Sequence, residues 1–208
     1  MINALTENEQ NLLEKTAAYV ENMMRNDASG HDFHHVRRVV CMTKLLLEPI
    51  ASADRFISLM AAYLHDLDDP KLQAQKTTLA HDYLLSLNLD SVVIAKIEAI
   101  IDNISFSAHK AGKRVFSIEG MVVQDADRLD ALGAIGIARC FAYGASKSRS
   151  IYSGAKDDDS SLAHFYQKLL HLEELMNLPQ AQAIARERTE FLKDYLKTFL
   201  AEWDLENQ

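Results

Sequence analysis

Apolar residues recur every three or four positions over most of this chain, and short polar breaks separate the stretches that keep the period. Thr6-Glu-Asn-Glu9 has the form of a capping box, which predicts a first helix running to about Arg25. The polar NDASG at 26–30 ends it. A second helix is expected from near His31, with Val36, Val39, Val40, Thr43, Leu46 and Leu47 on one side. Ser52 is a candidate cap for a third, in which Phe56, Leu59, Met60, Tyr63 and Leu64 are apolar. That helix stops near DLDDPK, because Pro70 disfavours helix at the residue before it. Helices are expected over 74–87 and 91–104, and a loop over SFSAHKAGKRVF. A long helix should follow over 118–144. Gly133 and Gly136 lie inside it at ~1 kcal/mol each relative to alanine, so a close contact or a bend should compensate. The polar run from Tyr143 to Ser161 has the composition of a mobile loop, and KDDDSS at its end is a candidate cap. Amphipathic helices are expected over 161–177 and 180–203. No repeat, low-complexity tract or composition shift marks a boundary, so the expectation is one all-α domain of about seven or eight helices.

Composition narrows the functional classes. The 208 residues include 7 Gly and 3 Pro, scarce enough to favour helices over a turn-rich β fold. The net charge of −8 argues against binding duplex nucleic acid through its backbone. A small anionic substrate is still compatible, because a bound metal and a few local cations reverse the field in a cleft. No basic and apolar leader opens the sequence and no apolar run approaches a membrane span, so a cytoplasmic protein is expected. Cys41 and Cys140 read as reduced core residues, and the Met and Phe positions as core. His81, His109 and His171 read as surface residues.

The candidate chemistry lies in acidic and histidine residues on otherwise apolar helices. His31, His34 and His35 crowd the start of the second helix, His65-Asp66 ends the third, and Asp125, Asp127 and Asp130 sit among aliphatic residues in VVQDADRLDALG. Carboxylates there are costly unless paired or bound to metal. Two imidazoles and two carboxylates make a mixed N/O site for one divalent ion: Mn²⁺ by preference, or Mg²⁺, Fe²⁺, Co²⁺, Ni²⁺ or Zn²⁺. His81-Asp82 shows that the His-Asp pair alone is cheap.

The ordered set HHVRRV, AAYLHDLDD and DADRLDALG resembles the HD-domain superfamily of metal-dependent phosphohydrolases. GHDFHHVRRV, HDLDDPK, NISFS, DADRLDALGAIGIAR and HFYQKL together are similar to its bacterial YedJ-like subgroup. The resemblance implies a single HD-type helical domain over 1–208, with a signature core over 20–145 and the helices of 161–203 packed on it. It implies metal ligation by His35, His65, Asp66 and Asp127. It implies cleavage of a nucleoside triphosphate to monophosphate and pyrophosphate, with a monophosphate-specific nucleotidase or a non-catalytic metal and nucleotide sensor as alternatives. Guanosine-tetraphosphate hydrolysis is disfavoured, because Asp69, Pro70 and Ala131 stand where that branch carries Glu, Asp and Asn.

Around those ligands, Asp69 lies one turn from the doublet and is the candidate to orient or deprotonate water. His31 is four residues before His35, on the same face, and either contacts phosphate and assists proton transfer or finishes the helix start with Asp32. His34 lies off that face and reads as solvated or packed. Lys71, Arg128, Lys147 and Arg149 are candidate phosphate contacts, set against an exposed lysine, an ion pair between Arg128 and an acid such as Asp125, and a solvated loop. Asp130 is a candidate to hydrogen-bond a ligand histidine. The subgroup resemblance offers His164 as a residue that reaches the site, whereas by itself it reads as a partly buried helix residue. The expected partner is a small phosphorylated nucleotide, with no duplex nucleic acid and no membrane, and a homodimer is left open. Prenyl-diphosphate chemistry is disfavoured, since DADRLD lacks the register of a DDxxD cluster and His35 and His65 would go unused. A closed structural metal site is the remaining competitor.

Overall fold

Side chains, more than backbone propensity, set where the first helices begin. The computed structural model describes residues 4–25, 30–68, 78–154 and 158–204. In α1 (Glu7–Met23) the capping box is complete: Thr6 Oγ1 accepts from Glu9 N at 3.3 Å, and the Glu9 carboxylate accepts from Thr6 N at 2.8 Å. The second helix, α2 (Phe33–Leu47), begins two residues later than expected, because Asp32 is its cap and accepts from His35 N at 2.9 Å. Its buried side is the expected one, with His35 added. The third, α3 (Arg55–Leu64), is capped by Asp54, not Ser52. Asp54 Oδ1 accepts from Ile57 N at 3.0 Å, and Ser52 is exposed outside the helix.

Ten α-helices and two 3₁₀ turns are found among the described residues, more than the sequence suggested, because two of the long predicted helices are broken and a predicted loop holds a short helix of its own. The described chain divides into two compact units. The first holds α1, α2 and α3, then α4 (Leu79–Ser86), α5 (Ser91–Ile104), α6 (Phe106–Lys110), and α7 (Ile118–Asp130) as far as Asp127. In it α3 packs against α1, α2 and α5, which explains why Phe56 through Ala62 are buried on every side. The predicted loop at 105–116 contains α6, started by Ser105 Oγ accepting from Ala108 N at 3.0 Å. The predicted start of the fourth helix, 74–77, lies outside the described residues.

The second unit holds Gly30 and the chain from Arg128 onward. The helix predicted over 118–144 is two helices, since α8 (Gly133–Ser146) begins on a glycine with φ of 71°, a conformation a helix interior does not accept. Gly136 packs on the Ala131 carbonyl and Gly144 on Ser161, with no room for a Cβ at either. The helix predicted over 161–177 is α9 (Ala163–Gln167) followed by 3₁₀ turns at Leu169–His171 and Glu173–Leu175. Leu162, Phe165, Leu169 and Leu172 are buried, and the spacing of three between Leu169 and Leu172 suits the 3₁₀ geometry there. The last helix, α10 (Pro179–Trp203), packs on α8, and Phe141, Phe165, Tyr195 and Phe199 stack between them with centroids 5.9–6.4 Å apart. The loop after α8 is tied to α9 by Ser161 N to Ser150 O at 2.9 Å and Leu162 N to Ile151 O at 3.0 Å.

Cys140 is buried as expected, whereas Cys41 is exposed on the outer face of α2; both are free thiols. The Met and Phe positions are not all core: Phe116 is 88% exposed, and Met23 and Phe191 are also on the surface.

Candidate metal centre

His35 lies one turn into α2, where the Asp32 cap fixes its backbone, and its side chain is fully buried. His65 caps the C-terminus of α3 with its backbone still in the α region, and Asp66 follows in a turn closed by Leu67 N donating to Leu64 O at 3.1 Å. Asp127, half-buried on α7, completes the group. All four belong to the first unit.

The distances are short. His35 Nε2 and His65 Nε2 are 3.2 Å apart. Asp66 Oδ2 is 3.2 Å from His35 Nε2, and Asp66 Oδ1 is 3.4 Å from His65 Nε2. Asp127 Oδ1 is 3.6 Å from His35 Nε2 and 3.8 Å from His65 Nε2. One ligand atom from each of His35, His65 and Asp127 lies within 4.8 Å of the others.

Protonation follows from the partners. His65 Nδ1 is 2.9 Å from the Ala62 carbonyl. A carbonyl only accepts, so Nδ1 carries a proton, and Nε2 is the atom turned to the cluster. Burial by itself pushes the Asp66 carboxyl up, but the imidazoles of His65, His35 and His31 outweigh it and hold the group well below the usual carboxylate range. Asp66 is therefore anionic, and each of its oxygens lies within 3.4 Å of an imidazole Nε2. A buried carboxylate against two imidazole nitrogens is a donor set that suits a cation. Two imidazole nitrogens on one divalent ion at right angles, each at ~2.1 Å, lie about 3 Å apart, so the observed spacing fits. The four donors fit a divalent metal and leave an ion of higher coordination number open to other ligands.

The other predicted residues are distributed between the units. The His31 ring is half-buried and lies edge-on to His35, with centroids 6.0 Å apart; His34 is exposed. Asp125 is fully buried on α7. Asp69 and Lys71 lie outside the described residues. Arg128, Asp130, Lys147 and Arg149 belong to the second unit. There Arg128 is buried and donates to the Leu175 carbonyl. Asp130, expected beside a ligand histidine, pairs with Arg139 at 2.9 Å, and Arg139 Nε donates to the Gly30 carbonyl at 2.7 Å. Lys147 and Arg149 both lie over the Tyr143 ring, at 5.5 and 5.8 Å. His164 is half-buried at the start of α9, His109 is half-buried, and His81 and His171 are exposed.

Two contributors were not anticipated. The Ala62 carbonyl is backbone and has no signal in sequence. Asp68 accepts from Leu79 N at 2.8 Å and Ala80 N at 2.9 Å, tying the ligand-bearing turn to the start of α4. Eleven residues separate it from the first of these, too far for a local capping pattern to reveal.

Comparison with known proteins agrees with this geometry. The family model described as HD domain matches residues 32–132. YpgQ of Bacillus subtilis is 37% identical over 188 residues, covering 88% of this chain and 90% of that one. Its crystal structure in complex with ADP aligns with a TM-score of 0.78 at 33% identity, over 94% of this chain and 96% of that one. A Lactobacillus plantarum protein aligns with a TM-score of 0.83 at 35% identity, over 96% and 99%. An HD-superfamily hydrolase from Bacillus thuringiensis aligns with a TM-score of 0.74 at 40% identity, over 95% and 99%. Matched across almost its whole length by such relatives, with the histidines and aspartates of the signature converging on one buried point, the chain belongs to the HD-domain superfamily.

Proposed function

We propose that this protein is a divalent-metal-dependent phosphohydrolase acting on nucleotides, and that it converts a nucleoside triphosphate to the monophosphate and pyrophosphate. The observation that carries the reading is the pair of facing imidazole nitrogens at 3.2 Å beside a buried anionic Asp66, with His65 Nδ1 held by the Ala62 carbonyl. The capture of ADP by YpgQ supports a nucleotide as the ligand class. When bound, a divalent cation, Mn²⁺ by preference for this mixed N/O donor set, supplies Lewis-acid chemistry at a phosphoryl oxygen and at water.

The chain's own residues divide the remaining work. Asp69 accepts the proton of the attacking water; a new P–O bond forms at the α-phosphorus, and the bond to the leaving pyrophosphate breaks. His31 stands beside His35 and holds or moves a proton at the substrate side of the cluster. Lys71, Arg128, Lys147 and Arg149 neutralise phosphate charge, and Asp130 acts through Arg139 as a positioning residue. We read residues 1–208 as one HD-type functional domain working in the cytoplasm.

The test is a nucleotide panel incubated with metal-stripped protein and added Mn²⁺, with products separated by chromatography. Monophosphate plus pyrophosphate from triphosphates is expected. Nucleoside plus phosphate from monophosphates would make the same cluster a nucleotidase. Binding without turnover under every metal would overturn the enzymatic reading in favour of a sensor.

A further inference from the structure

We propose that a cavity in the first unit, at the end of α3 and α7 remote from the histidine cluster, is a second ligand site for a nucleoside monophosphate. It has a volume of about 330 Å³ and lies among α5, the start of α3 and the chain entering α7. That is within the range of small-molecule sites, which begin at roughly 300 Å³. Its floor is apolar: Ile57 and Ile100 are each 3% exposed.

Three features of its lining point to this ligand class. The first is cationic. Lys96 has no carboxylate partner among the described residues. Arg114 uses Nη1 for the carbonyls of His109 and Lys113, at 3.0 and 2.8 Å, which leaves its other guanidinium N–H groups for an anion. The second is a set of acceptors. Asn103 Nδ2 donates to the Ala99 carbonyl at 2.6 Å, which leaves Oδ1 as the acceptor of that side chain. Asp54 and Glu119 are joined by Glu119 Oε1 accepting from Asp54 N at 2.9 Å, and each keeps a carboxylate oxygen for a donor. The third is Phe116, an aromatic ring 88% exposed at the cavity and covered by nothing in the first unit. Rings of this size usually bury most of their surface.

A phosphate for Lys96 and Arg114, base N–H groups for Asn103, Asp54 and Glu119, and a flat ring for Phe116 are combined in one nucleoside monophosphate. Lys96, Ile100 and Asn103 share one face of α5, so a single ligand can touch all of them. Asp54 and His65 are separated by the length of α3, about 16 Å, and Glu119 and Asp127 by about 12 Å of α7, so this ligand does not reach the metal donors. The choice of a nucleotide over other planar anions rests on the reading of the cluster given above.

The test is calorimetric titration of AMP into EDTA-treated protein, where no turnover occurs. Saturable binding is expected in the wild type and in His65→Ala. Phe116→Ala and Lys96→Glu change exposed side chains that support no fold contact, and each should weaken binding by about tenfold or more. No binding by the wild type, or equal affinity in both cavity variants, overturns the proposal. Binding lost in His65→Ala but kept in Phe116→Ala also overturns it, because AMP would then occupy the cluster. Triphosphate turnover with Mn²⁺ is measured separately, so the cavity and the cluster can fail independently.

Discussion

At single residues, each donor of the cluster is held by a contact of its own. Asp32 fixes His35, the Ala62 carbonyl orients the His65 ring, and three imidazoles keep Asp66 ionised. Removing a donor should therefore abolish metal binding without unfolding the chain. His65→Ala and Asp66→Ala are expected to lose Mn²⁺ affinity by about 100-fold or more, read by metal titration, with helical circular dichroism unchanged. Loss of the helical signal in both would indicate a structural metal. A second single-residue effect concerns Cys140, whose thiol burial pushes from an ordinary 9.0 up to about 11. Below pH 9 it is protonated in folded and unfolded chains alike. Between pH 9 and 11 only the unfolded chain ionises, so stability falls as pH rises, by about 3 kcal/mol across the window. Urea melts at pH 8 and pH 10.5 should show this loss in the wild type and a smaller one in Cys140→Ala. The sequence could not separate Cys140 from Cys41, because both sit in apolar helical surroundings and only packing buries one of them.

At the level of helices, caps and glycines carry the predictions. Asp32 closes α2 and positions His35 through the same bond. Asp32→Ala should cost about 1 kcal/mol in urea denaturation and also weaken Mn²⁺ binding. An equivalent loss of stability with unchanged metal affinity would separate the cap from the site. Gly136→Ala and Gly144→Ala force a Cβ onto the Ala131 carbonyl and onto Ser161, and should each destabilise by ~1–3 kcal/mol or more. Helix existence was legible from periodicity: α2 buries the side its period assigned, and α5 spans the predicted 91–104. Helix breaks were less legible. The glycines of 133–136 were recognised as costly, but whether they bend a helix or end it depends on the positive φ of Gly133, which is set where Arg188 packs on it.

Over the molecule, metal and stability are linked. Because the candidate donors converge only in the folded first unit, a divalent ion such as Mn²⁺ is expected to bind the native chain in preference to the unfolded one. Mn²⁺ at about 100 times its dissociation constant should add roughly 2.7 kcal/mol, and EDTA should remove it. Differential scanning calorimetry should show an upward shift of several degrees in the wild type and none in Asp66→Ala. No helix among the described residues is long and apolar enough to cross a membrane, in keeping with the absence of any long apolar run.

The sequence alone determined the all-α class and the family, because these are written in residue type, order and spacing, and its resemblance to that family singled out the four candidate donors. Convergence had to come from the fold. His35, His65, Asp66 and Asp127 meet because the first unit brings the C-terminal end of α3 together with the first turn of α2 and with Asp127 of α7. The backbone acceptor at Ala62, the long-range clamp at Asp68 and the exposed ring of Phe116 have no local signature. Each depends on which segments the chain brings together, and contact between residues far apart in sequence is decided by packing, not by periodicity.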